Sequence, residues 1–484
     1  MQKKSLIILS ATLVLFACSR GELFQNNSNI SLSINTVVTD SIGGQWLGFG
    51  YNQYPIDRDA SGKDLDYWDS AHWLLTTGRM NYIRPSIVRL NVYREWFDSS
   101  GVVGDYNWDS PRILSLCRLL DWYRANEIPV MTGLWHSNKA GEDDPSFYIS
   151  TGPGSFQALQ ADLFNYLYQV KGYTNIRWYT PTNEPLGAGI SFSQWSAMMH
   201  NTYLAFMDGN FPLSTLCGPD SWGDWNGMAA SENAGDLHGY DHHYYAAYDE
   251  ITSGSLEINL KAAVSAIQSA DSSNKPVFVS ECGFLHDASD PIDYWYLQNP
   301  VPVINPGTFL YGLLAFDYGI QLARSGNSGA MAWALDGFDC RKDPGMWNIS
   351  GMNNGTVLRP WFYTWSLLCR YFPAGGTIYP VKSYHDQVRI VAFRKPSGKS
   401  SHWTIAMVNW AGGDANISIY LPGWKGGSFT AFTYSKLNSG DGYSLGLAGQ
   451  PMPISSPSTG FTLKLPSQTA MLITTLDNAP LDPQ

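Results

Sequence analysis

Between residues 47 and 338 one rhythm recurs eight times: a short apolar run of strand character, then a longer segment with the period of a helix. The runs are LGFGYN (47–52), SIVRLNVY (86–93), PVMTGLW (129–135), IRWYTPTNEP (176–185), LCGPDSW (216–222), GYDHHYY (239–245), PVFVSECGF (276–284) and GAMAWALDGF (329–338). Helical periodicity fills the intervals at Ser110–Asn126, Ser155–Val170, Ser193–Met207, Leu256–Ala270 and Thr308–Ser325, with Leu358–Tyr371 as the closing helix. A helix between two strands carries the chain back to where it started, so the strands of such a series lie parallel. Eight units are what a (β/α)8 barrel requires, and its reactive residues stand at the C-terminal ends of its strands. The fold class expected is therefore α/β, a TIM barrel.

The helical period stops after Phe372-Pro373-Ala374-Gly375-Gly376. From about 377 to 476 alternating segments such as QVRIVAFR, WTIAMVNW, ISIYLP, FTAFTY and AMLITT are separated by Gly, Asn and Ser clusters, the pattern of an all-β sandwich. A further alternating segment at 30–38 has no partner among the eight barrel units, which leaves the sandwich to receive it. The expected boundaries are a polar tether at 19–29, the leading strand within 30–45, the barrel at 46–373 and the sandwich at 374–484. Ahead of them Lys3 and Lys4 precede an apolar run from Leu6 to Ala17, too short to span a bilayer and shaped like a signal peptide over 1–18. Its end, Leu15-Phe16-Ala17-Cys18, resembles the bacterial lipobox, which implies lipidation of Cys18 and an exported protein of the cell envelope. Membrane contact is then expected only through that anchor.

Composition narrows the partners. With 44% hydrophobic and 15% charged residues the chain is no candidate for disorder. A net charge of −11 repels nucleic acid and anionic membrane surfaces. The 19 Trp, 28 Tyr and 21 Phe are an aromatic excess suited to stacking on sugar rings, so a carbohydrate partner is expected. Beyond Cys18, the cysteines Cys117, Cys217, Cys282, Cys340 and Cys369 are odd in number and scattered, which reads as free thiols. No Cys or His spacing suits a metal, no cofactor is expected, and the protein is expected to be a monomer.

Two acids stand where the barrel would place chemistry. Glu184, in Thr180-Pro181-Thr182-Asn183-Glu184-Pro185, ends the fourth strand, and Glu281, in Val279-Ser280-Glu281-Cys282, ends the seventh. These strand ends face each other across the barrel mouth. A pair of carboxyls suits cleavage of a glycosidic bond, one protonating the leaving oxygen while the other attacks or activates water. The two need different proton affinities: a carboxyl near a second negative charge keeps its proton to higher pH, so Glu184 is expected to be the acid and Glu281 the ionised partner. Arg89, within Ile87-Val88-Arg89-Leu90, is a charge inside an apolar strand and calls for a carboxylate partner.

This constellation resembles the retaining glycoside hydrolases of clan A, from about Gly48 to Phe372, and the appended sandwich is similar to that of families 30 and 39. The resemblance implies that Glu184 is the acid/base and Glu281 the nucleophile. It further implies that Arg89 holds the nucleophile ionised, that Asn183 hydrogen-bonds a sugar 2-hydroxyl, and that Trp333 floors the −1 subsite. In Asp241-His242-His243-Tyr244-Tyr245 the clan often carries His-x-Tyr, and two registers fit, His242/Tyr244 and His243/Tyr245; the second is favoured by its likeness to a His-Tyr-Tyr run. Trp135 and His136 end the third strand, a position that commonly contacts sugar. Asp336 is a further substrate-binding candidate, to bind hydroxyls or to face water, and Trp222 and Trp225 could line another subsite.

The reading is a retaining hydrolase of β-glycosidic bonds in a poly- or oligosaccharide. Two alternatives stay open on the same residues: a catalytically silent glycan-binding lipoprotein, and a transglycosylase. The sugar, its linkage, and endo against exo action depend on loop shape.

Overall fold

The computed structural model describes residues 32–37, 41–42, 44–55, 70–135, 145–212, 215–221, 225–284, 307–336, 345–347, 358–381, 385–398, 400–421, 424, 427–436, 443–444, 450–454 and 460–477. The expected signal segment with Cys18, the tether, His136, Trp222 and Cys340 lie outside the described residues.

The first strand, β1 (Leu32–Val37), belongs to the C-terminal sheets, and the next eight build the barrel. These are β2 (Gly48–Gln53), β3 (Ile87–Tyr93), β4 (Val130–Trp135), β5 (Ile176–Tyr179), β6 (Cys217–Ser221), β7 (Gly239–Ala246), β8 (Val277–Phe284) and β9 (Gly329–Ala332). They form one sheet in the order β5-β4-β3-β2-β9-β8-β7-β6, each neighbouring pair parallel. A parallel bridge between Tyr179 and Leu216 joins its two ends and closes the barrel. All eight runs read from the sequence contain barrel strands, and a helix follows each of them to cover the outer face of the sheet.

Alternation along these strands sorts the interior by height. Leu47, Ile87, Met131, Cys217, Phe278 and Met331 form a separate apolar cluster at the N-terminal end of the barrel. Two residues further along the same faces come Arg89, Ser280 and Trp333, so the lining turns polar and then aromatic toward the mouth.

Helix starts follow side-chain caps. Ser110, Ser155, Ser191 and Thr308 accept the backbone N–H of Ile113, Ala158, Gln194 and Tyr311. The helix Phe156–Phe164 continues through a wider π-helical turn over Asn165–Val170. Two further helices, Ser70–Ile83 and Trp225–Glu232, have no clear period in the sequence. The first buries Thr76, Thr77 and Arg79 beside Met80 and Ile83, so its core-facing side is not an apolar stripe.

The C-terminal strands are β10 (Thr377–Pro380), β11 (Val388–Ser397), β12 (Ser400–Asn409), β13 (Ala415–Tyr420), β14 (Gly427–Lys436), β15 (Tyr443–Ser444), β16 (Gln450–Ile454), β17 (Phe461–Leu465) and β18 (Thr469–Thr474). A larger sheet runs β10-β11-β12-β18-β14-β15, with β16 also on β14, and a smaller one runs β1-β13-β17. β1 pairs parallel to β13, with Leu32 opposite Ala415. The larger sheet is covered on both faces. Val388, Ile390, Ile405 and Met407 face the smaller sheet in one core. Val391, Phe393, Ala406 and Val408 belong to the barrel's own core, facing its outer helices. The architecture is a (β/α)8 barrel followed by a β-sandwich seated on it.

Candidate active site

Arg89 is fully buried inside the barrel, and its partners assemble the site. Nη1 donates to Glu281 Oε2 (2.9 Å) and to Asn52 Oδ1 (3.1 Å). Nη2 donates to Asn183 Oδ1 (2.8 Å) and to Asp220 Oδ2 (2.5 Å). Burial by itself would make the guanidinium easier to discharge, but the charges of Asp220 and Glu281 outweigh it and hold its pKa above the ordinary value. Such a buried cation persists only because both forks meet acceptors.

Glu281 sits low in the mouth, its side chain 6% exposed, against 32% for Glu184. It accepts from Arg89 and from the Tyr245 hydroxyl, and His243 Nδ1 lies 3.6 Å away. Burial raises its pKa above the usual range for a glutamic acid, although His243 and Arg89 act against this. This is the opposite direction from the one expected of the ionised partner. Depth in the barrel is the cause, and the donors Arg89, Tyr245 and His243 are what favour the carboxylate.

Glu184 follows β5 with a left-handed backbone, φ 43°, and its N–H donates to the Asp220 carbonyl (3.0 Å) across the seam of the barrel. Its Oε1 meets His243 Nδ1 at 2.8 Å, and the other ring nitrogen, Nε2, meets Asp220 Oδ1 at 2.8 Å. Burial would lower the His243 pKa, but Glu281, Asp220 and the two hydrogen bonds push it up to about 10. His242, the neighbouring histidine, faces the other way, with Nε2 3.2 Å from Asn327 Oδ1, and burial pushes its pKa down to about 4.

The structure thus brings Glu184, Glu281, Asn183, Arg89, His243 and Tyr245 into contact. At the rim Trp333 and Trp135 stack on each other, with ring centres 5.5 Å apart and planes inclined by 28°. Tyr54 meets the edge of Trp333 and Tyr93 stacks on Trp135, so four rings line one side of the mouth. Asp336 is buried, and its charge acts on Tyr51, Arg79 and Tyr123. Trp225 packs against Phe192 and Trp195 in the core, which corrects its assignment to a subsite. Cys282 is buried outside the barrel axis, where burial and Glu281 push its thiol pKa well up, so it is no nucleophile.

Sequence reasoning missed Asn52, Asp220 and Asp241. Asn52 donates to the carbonyls of Ser280 (3.0 Å) and Met331 (3.1 Å), tying β2 to β8 and β9 beneath Arg89. Asp241 accepts the Asp220 N–H at 3.0 Å, and burial together with Asp220 pushes its pKa well up. The signal for Asp220 was a charge within a strand, the same one that exposed Arg89. It lay inside LCGPDSW, a run read as a strand, next to Gly218-Pro219 and without a flanking apolar stretch as long as that around Arg89.

Glu184, His243 and Glu281 offer donor atoms within 4.8 Å of one another, a grouping that could hold a metal ion. A metal takes imidazole in its neutral form, whereas both His243 nitrogens face carboxylates that favour the imidazolium, so the residues do not suit one.

No protein-family model and no curated protein matches the chain. Solved structures do. A GH30 endoxylanase from Clostridium papyrosolvens C71 matches with a TM-score of 0.60 at 11% identity, over 91% of this chain and 99% of its own. SrfJ from Salmonella typhimurium matches with a TM-score of 0.60 at 15% identity, over 93% of each chain. A GH51 arabinofuranosidase from Xanthomonas axonopodis pv. citri matches with a TM-score of 0.60 at 12% identity, over 92% and 99%. The fold, barrel and sandwich together, is that of GH30 and GH51 glycoside hydrolases.

Proposed function

We propose that the protein is a retaining glycoside hydrolase, acting on β-linked poly- or oligosaccharide by double displacement. The observation that carries this reading is the spacing of its two acids. Donor oxygens of Glu184 and Glu281 approach within 4.8 Å. Retaining enzymes hold their carboxyls about 5–5.5 Å apart, whereas inverting enzymes leave about 6.5–9.5 Å for a water. The fold neighbours, which include a GH30 endoxylanase and a GH51 arabinofuranosidase, support the same chemistry.

On this reading Glu281 attacks the anomeric carbon and forms a covalent glycosyl-enzyme. Its donors fix the attacking oxygen: Arg89 and Tyr245 hold one carboxylate oxygen each. Glu184, the more exposed acid, protonates the leaving oxygen and then takes a proton from the incoming water. Asn183 gives its Oδ1 to Arg89, which leaves its amide N–H groups for a sugar hydroxyl. Trp333 and Trp135 offer ring faces to the sugar at the rim. Export with a lipid on Cys18, and a monomeric state, complete the proposal.

The test is sugar release from β-glucans, xylans, mannans, galactans and aryl β-glycosides by protein lacking residues 1–18, beside Glu184→Gln and Glu281→Gln. Activity that falls by roughly 10²-fold or more in each variant is the expected result. Activity surviving both substitutions overturns the reading.

A further inference from the structure

Asp220 has no part in the chemistry described above, yet the charges of the site converge on it. It is fully buried near the end of β6, where it accepts from Arg89 Nη2 (2.5 Å) and Ser280 Oγ (3.1 Å) and faces His243 Nε2 (2.8 Å). Its carbonyl takes the N–H of Glu184 at 3.0 Å, and Glu184 Oε1 faces Nδ1 of the same imidazole at 2.8 Å. Three hydrogen bonds thus close a ring through residues 184, 220 and 243. Glu184 (φ 43°) and Asp220 (φ 53°) both hold left-handed backbone conformations that side chains disfavour, so the surrounding contacts must enforce them.

An imidazole set between two carboxylate oxygens needs an N–H on each nitrogen, and only the imidazolium has both. The groups that face it are Glu184 after β5, Asp220 on β6, Glu281 on β8, and Arg89 on β3 beyond the acids. Its own strand adds Asp241, whose pKa burial and Asp220 push well up, His242, which points away, and the Tyr245 hydroxyl on Glu281. Three carboxylates against one guanidinium favour a charged ring.

We propose that Asp220 is a positioning residue that keeps His243 protonated, making the His243–Glu184 pair the proton store for the leaving group. The inference rests on the glycosidase reading and names where the acid's proton waits. As a Glu281 oxygen bonds to the anomeric carbon, the bond to the leaving oxygen breaks and its electron pair goes to that oxygen. Glu281 becomes an uncharged ester, and the ring loses an anion that had been 3.6 Å away. The Nδ1 proton then passes to Glu184, and from Glu184 to the leaving oxygen, which leaves a neutral imidazole beside a carboxylate. In the second half water attacks the anomeric carbon, its proton returns through Glu184 to Nδ1, and Glu281 departs as the carboxylate.

Nitrogen-15 spectra of the histidine rings test this on the whole chain without any substrate, with the His243 signals identified by their loss in His243→Gln. The wild-type ring is expected to carry both protons at about pH 8, and Asp220→Asn to lower its titration midpoint by at least about one unit, a tenfold loss in proton affinity. A neutral wild-type ring at that pH, or the same midpoint in Asp220→Asn, overturns the proposal. With glycosides, Asp220→Asn and His243→Gln should each lose about 10²-fold against a sugar alcohol as leaving group, but less than about tenfold against an activated aryl group that needs no acid. Equal losses on both substrates would mark Asp220 as structural and overturn it as well. If Asp220→Asn does not fold, the wild-type titration and the His243→Gln comparison decide. A protonated ring without activity on any glycoside sinks the glycosidase reading, while a neutral ring with full activity sinks only this inference.

Discussion

His242 and His243 are neighbours in sequence, equally buried, and shifted in opposite directions in proton affinity. Strand alternation turns one toward Asn327 and the other toward three carboxylates, so burial dominates the first and charge the second. The consequences for stability have opposite signs. His242, ordinary at 6.5 when unfolded and about 4 in the fold, adds stability that is complete above about pH 6.5 and lost as pH falls toward 4. His243, raised to about 10, adds stability that is complete below 6.5 and lost as pH rises through about 10. His242→Gln should therefore lessen the drop in unfolding free energy between about pH 7 and about pH 4.5 by roughly 2–3 kcal/mol, read from urea midpoints. An unchanged pH dependence in the variant would show that His242 is not a neutral buried group. Residues of this kind were only partly legible. A charge within an apolar strand announced Arg89, but which of two adjacent histidines enters the barrel depends on strand register, which the sequence leaves open.

At the scale of elements, the site stands where regular pairing fails. The register shifts between Pro219 and Ser221 on β6, between His242 and His243 on β7, and between Val279 and Cys282 on β8. Such bulges re-aim side chains. On β8 they let consecutive residues, Ser280 and Glu281, both reach inward, to Asp220 and Arg89. Period-2 reading therefore located the strands and could not have found every inward residue. Helices were more legible where a cap marks the start, as with the helix Phe192–Asp208 that follows the Glu184 loop. There Ser191 Oγ accepts the Gln194 N–H (3.4 Å) and Gln194 Oε1 accepts the Ser191 N–H (2.9 Å), a reciprocal box that begins ahead of the expected start at Ser193. Ser191→Ala is expected to cost about 1 kcal/mol in urea unfolding with an unchanged denaturant slope. A variant as stable as wild type would mean that the box contributes nothing to this helix.

The whole molecule is held as one piece by a sheet that serves two cores. Alternate residues of β11 and β12 face the smaller sheet and the barrel helices in turn, so the apolar runs that signalled a sandwich also hid a docking surface. Within that surface lies a buried ion pair. Asp317, on the barrel helix Phe309–Ser325, accepts Arg389 Nε (2.8 Å) and Trp410 Nε1 (2.7 Å), and Arg389 Nη2 also reaches the Ile251 carbonyl (3.0 Å). Beside it Arg324 pairs with Glu257 and donates to the carbonyls of Val381 and Ile390. Removing one partner of a buried pair strands the other charge, so Asp317→Ala should destabilise the protein by about 3–5 kcal/mol, and Asp317→Asn by less because the amide still accepts. Since this surface belongs to both units, calorimetry of wild type should give a single transition in which barrel and sandwich unfold together. Two separated wild-type transitions, or a loss below about 1 kcal/mol in Asp317→Ala, would mean that the sandwich rides on the barrel without stabilising it. A single transition lowered by the substitution would make the sandwich a structural part of the barrel that carries Glu184 and Glu281.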